Sequence, residues 1–138
     1  MCTFASYNID FVKKKIPFEF VFDYLHPLEI TIKPMFGCHA IYANGKIFFI
    51  LRKRDDHLEA NGIWMATSKE HHQSLKKEFP NMKSVYILSD GKKETDWQMI
   101  HEDDDDFEES AIKICEMVLR RDSRIGKIPK SKKKKVRA

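Results

Sequence analysis

The stretch KPMFGCHAIYANGKIFFILRK, residues 33–53, constrains the fold more than any other part of the chain. Two apolar runs, residues 39–43 and 46–52, are separated by Asn44-Gly45 alone. Asn and Gly both tolerate positive φ, which a type I′ two-residue turn requires at its two central positions. The spacing therefore predicts a β-hairpin. Residues 47–51 are apolar without interruption, the pattern of a central strand covered on both faces. Alternation along that strand sends Phe48 and Phe49 to opposite faces. If one face lacks helices, the aromatic on it would mark a partner surface or a dimer interface.

The flanks extend the pattern. In PFEFVFDYLHP, residues 17–27, the apolar set Phe18, Val21, Phe22, Leu25 has helical spacing, and Pro17 and Pro27 stand where a helix starts and stops. A short helix is expected there. Residues 28–35 read as a strand that Pro34 ends or confines to an edge. Residues 52–62 form a charged loop, and 63–66 a short strand around Trp64. Thr67 and Glu70 have capping-box spacing and predict a helix with Leu75 and Phe79 inside, ended by Pro80-Asn81. Residues 85–88 and 97–100 read as strands joined by the polar turn SDGKKETD, residues 89–96. A long helix follows, with Asp104 or Asp105 as its cap and Phe107, Ala111, Ile114 and Val118 as its inner stripe. Arg120 and Arg121 fall in its last turn, and Gly126 and Pro129 come after its end. The expected fold is α+β: a twisted, mainly antiparallel sheet of about five to six strands with helices packed on it.

Charge divides the chain. The net charge is +4, but residues 120–138 carry ten Lys/Arg against Asp122, or +9, which leaves −5 on the rest. Residues 1–126 are expected to form one domain and residues 127–138 a flexible basic tail. No apolar run reaches the roughly 20 residues that span a bilayer, so no membrane partner is expected. Three cysteines without CxxC spacing fit a reducing cytoplasm better than a disulfide scaffold.

Taken together, Met35-Phe36-Gly37, the Asn44-Gly45 turn and the Phe48-Phe49 strand resemble the N-terminal domain of the TfoX/Sxy family, by motif over residues 18–52 and by element order to residue 121. Cys38 stands where that family has a second glycine. The resemblance implies an α+β fold shared with YjbR-like proteins and type III secretion chaperones. In the competence regulators a C-terminal helical domain follows; here the long helix leads into the lysine-rich end.

No catalytic motif is present. The histidines lack ligand spacing, since adjacent His71 and His72 diverge on a helix, and the acidic run 103–106 lacks the register of a calcium loop. No metal or cofactor is expected. Cys38, Trp64 and Trp97 are candidates to line a pocket between sheet and helices; core packing is the competing reading. The most distinctive functional signal is Lys127, Lys130, Lys132, Lys133, Lys134, Lys135 and Arg137. Such an arm contacts nucleic-acid phosphates without sequence selectivity. It serves equally as a solubilising end, or folds back on the acidic body. Two functions follow: a non-enzymatic, protein-binding or dimeric regulatory module with nonspecific nucleic-acid contact, or a small-ligand binder or enzyme.

Overall fold

The computed structural model describes residues 16–35, 37–89 and 95–128. Helix α1 (Phe20–Leu25) buries Val21 and Leu25, one helical turn apart. Strand β1 (Thr31–Met35) is mostly exposed and lies at the edge of the sheet, where Pro34 removes no inner ladder bond. Strands β2 (Cys38–Ala43) and β3 (Lys46–Arg52) form the predicted hairpin, with Asn44 at φ 53° and Gly45 at φ 79°. Strand β4 (Gly62–Met65) follows, then helix α2 (His72–Glu78), β5 (Lys83–Ser84), β6 (Gln98–His101) and α3 (Phe107–Leu119). The sheet has six strands in the order β1-β2-β3-β4-β6-β5, and every pairing is antiparallel. No helix of the described residues is long and apolar enough to cross a membrane.

Both faces of the sheet are covered. The larger core joins Phe49, Leu51, Ile63 and Met65 to Val21, Leu75, Phe79 and the inner stripe of α3. The smaller core, on the opposite face, gathers Ala40, Ile47, Ile50, Trp64 and Met99 with Val85 and Ala60. Complete burial of a Val, Leu or Phe side chain contributes about 1.5–3 kcal/mol, so these two layers dominate stability.

Several local expectations give way to tertiary packing. Phe48 and Phe49 share the larger core, their ring centroids 6.5 Å apart, because a register shift at Ile41/Tyr42 inserts Phe48 as an extra residue in β3. Thr67 is not a cap: its hydroxyl is buried without a hydrogen-bond partner, and the next turn is a 3₁₀ segment, Lys69–His71, with Ser68 at its N-cap. The Ala66 amide and carbonyl are already bonded to Phe48 and Gly126, which holds the chain extended at that point. The strand expected at 85–88 is a 3₁₀ turn, Tyr86–Ser89, after the two-residue β5; Val85 and Ile87 instead fill the smaller core. Asp106, not Asp104 or Asp105, precedes α3, and the Asp104 carboxylate accepts the His101 amide at 3.1 Å. Arg120 is the C-cap of α3 and Arg121 is left-handed at φ 62°. The Arg121 and Asp122 amides reach back to the Val118 and Met117 carbonyls, a Schellman closure.

Candidate functional site

The chain returns to the sheet after α3. At the start of β3 and the end of β4 the two strands part, and residues 126–127 occupy the gap. Ile47 and Lys127 exchange backbone hydrogen bonds of 2.9 and 3.0 Å, and the Gly126 amide donates to the Ala66 carbonyl at 2.7 Å. Gly126 has φ +111°, and a Cβ there would lie 2.5 Å from Phe48 Cε1. The bulged Phe48 thus packs where only glycine fits. Lys127 Nζ lies 3.3 Å from Asp96 Oδ2.

Arg124 fixes the approach to this anchor. Its guanidinium lies 2.7 Å from both Glu78 Oε2 and Asp122 Oδ2 and donates to Ser74 Oγ at 2.6 Å, tying α2 to the segment after α3. Hydrogen bonding to Arg124 holds the Asp122 carboxyl down at about 2 and lowers that of Glu78. Of the predicted basic set, Lys127 is therefore part of the sheet; Lys130, Lys132, Lys133, Lys134, Lys135 and Arg137 lie outside the described residues, as do the Asp90-Gly91 turn and Phe36.

Cys38, Trp64 and Trp97 do come together, inside the smaller core. Trp64 is 2% exposed, its Nε1 donates to the Ala60 carbonyl at 2.9 Å, and it meets Trp97 edge-on at 6.4 Å between centroids. These contacts are those of packing. Burial, only partly offset by Arg52 and Arg54, raises the Cys38 thiol, and burial pushes Cys115 up to about 12. Both thiols stay protonated at neutral pH, so neither is poised as a nucleophile. The histidines are dispersed: His72 Nε2 contacts the Asp96 carbonyl, His101 Nε2 the Leu58 carbonyl, and His71 Nε2 the Glu70 carboxylate. Among the described residues no group of three or more His, Cys, Asp or Glu is placed to hold a metal ion.

A cavity of about 480 Å³ opens elsewhere, beside the lead into α1. One wall is the lead into α1, residues 16–19; the other is Gly37, His39, Leu51 and Lys53 at the end of the β2–β3 hairpin. No sequence pattern announced it, because its two walls come from separate parts of the chain. Near it the buried Arg52 donates to Asn61 Oδ1 at 2.6 Å and to the His57 carbonyl at 3.0 Å, which orders the charged loop after β3.

No family model, no curated protein and no solved structure matches the chain.

Proposed function

We propose that the chain is a non-enzymatic interaction module of the TfoX N-terminal type, acting in the cytoplasm through macromolecular contacts, and that its lysine-rich segment touches nucleic-acid phosphates. The observation that carries this reading is the anchor at Gly126 and Lys127. Because their backbone is bonded to Ile47 and Ala66, the basic run beginning at Lys130 follows directly from a fixed point on the sheet rather than from a free helix end. The buried, protonated thiols and the packed Trp64–Trp97 pair favour contact over chemistry.

Fluorescence anisotropy with labelled RNA and duplex DNA oligonucleotides tests the reading, comparing the full chain with a full-length variant in which Lys130, Lys132, Lys133, Lys134, Lys135 and Arg137 are Gln. Each phosphate contact contributes about −0.9 to the slope of log K against log salt on duplex DNA, so six lost cations flatten the slope by up to about 5. The full chain is expected to bind RNA and DNA of any sequence with a steep salt dependence that the variant loses. Equal binding and equal slopes for the two proteins would discard the tail as the contact.

A further inference from the structure

We propose that the exposed edge of the sheet pairs with a second copy of the chain, strand β1 against strand β1, in an antiparallel two-fold register centred on Thr31. The pairing names a protein partner, beyond the nucleic-acid contact proposed above and independent of it. Among the described residues β1 has a strand on one side only, and residues 31–34 are exposed. Met35 and Cys38 are paired across a two-residue turn, which makes them a hydrogen-bonded pair. The alternation that follows bonds Thr31 and Lys33 to β2 and leaves the N–H and C=O of Ile32 facing outward. Ile30 directly precedes the strand, and extending the strand over it turns its N–H and C=O outward as well.

The sequence along this edge is its own complement. Read about Thr31, the run Glu29-Ile30-Thr31-Ile32-Lys33 sets Glu29 opposite Lys33 of the second copy, Ile30 opposite its Ile32, and Thr31 opposite its Thr31. Side-chain direction gives the same grouping. Ile32 stands beside Ile41 of the larger core and Ile30 packs at the margin of that core, so the isoleucines of the two copies meet on that face. Lys33 turns to the other face, its Nζ 4.9 Å from the Tyr42 ring centroid, and Thr31 and Glu29 share its parity. Each Ile30–Ile32 pair exchanges both of its backbone hydrogen bonds. The ladder stops at either end for a chemical reason: the Leu28 amide is already given to the Leu25 carbonyl at 2.8 Å, and Pro34 has no N–H. A lysine on an edge strand ordinarily discourages pairing. Here Lys33 meets Glu29 in this register alone; a shift of two residues either way sets it against Thr31 or Pro27. The contact is isologous, as a two-fold interface requires. With one short strand on each side it is small, and a dissociation constant in the micromolar-to-millimolar range is expected.

The test is sedimentation of the full chain from about 10 μM to about 1 mM, at neutral pH and low salt. A monomer–dimer equilibrium is expected. Glu29→Lys and Lys33→Glu each set like charges opposite one another on both sides of the two-fold axis and are expected to weaken the dimer about tenfold. Both side chains are exposed, so the monomer keeps its fold. An equimolar mixture of the two variants restores opposite charges on both sides, and it is expected to associate more strongly than either variant alone. NMR reads the backbone: the Ile30 and Ile32 amides are expected to shift and to exchange more slowly as concentration rises, while the Thr31 and Lys33 amides, bonded to β2, stay protected throughout. A monomer at every concentration would overturn the proposal. So would association that the charge reversals leave unchanged, a mixture no stronger than its components, or loss of the dimer in the glutamine variant of the six tail cations. Protection of the Ile32 amide in dilute, monomeric protein would mean that the edge is already covered, and would overturn it as well.

Discussion

Gly126 shows how a single residue can hold a distant part of the chain. Its backbone lies in the left-handed half of φ space, and its missing Cβ is replaced by the Phe48 ring. Gly45 has a similar need for positive φ at +79°, but nothing lies within 4 Å of where its Cβ would be. Gly45→Ala therefore carries the left-handed penalty alone, about 1 kcal/mol. Gly126→Ala adds a clash with a ring packed against the larger core, and a loss of about 2–4 kcal/mol is expected. Urea unfolding of the two variants checks the order; equal midpoints would remove the close packing of Phe48 on Gly126 from the account. Only one of these glycines was legible in the sequence. Asn44-Gly45 declares itself because both halves of the hairpin adjoin it. The constraint on Gly126 comes from Phe48, and no local pattern links the two.

Elements were legible where local and tertiary demands agreed. The hairpin and the inner stripe of α3 follow from spacing, and packing reinforces both; Pro34 left β1 either ended there or at an edge, and the edge is where it lies. The Thr67–Glu70 capping box failed because Ala66 is committed to Phe48 and Gly126, so the chain stays extended past the spacing that a cap requires. The bulge in β3 was invisible for the same reason: an apolar run carries no mark of which residue is inserted. Between elements, Arg124 joins α2 to the segment after α3, and this contact titrates. The Asp122 carboxyl is held at about 2, below its ordinary 3.8, and Glu78 is lowered in the same direction. A depressed carboxylate stabilises the folded state fully above its unfolded value and loses that contribution as pH falls through the folded one. The clamp is thus intact at pH 5 and above and fails between about pH 4 and 2. Arg124→Met is expected to destabilise the chain at pH 6 and to flatten the fall in stability over that acidic interval, measured as urea midpoints across a pH series. An unchanged slope would mean that other carboxylates carry the acid response.

At the scale of the molecule, one antiparallel sheet separates two apolar layers, and the end of the described chain is stitched into that sheet. Composition had divided the sequence at residue 127, with the acidic body before it and the basic run after it. The structure bonds Lys127 to Ile47 in an isolated antiparallel bridge, so the first residue of the basic run is held by the fold. The cavity beside α1 was equally hidden from the sequence, because residues 16–19 and residues 37–53, which line it, come from separate parts of the chain. The arrangement as a whole rests on the strap at 126–127, and amide hydrogen exchange on the full chain probes it most directly. Protection at Ile47, Gly126 and Lys127 comparable to that of the β3–β4 ladder is the predicted result. Exchange of Gly126 and Lys127 at the rate of an unstructured peptide, while β3 and β4 remain protected, would contradict it.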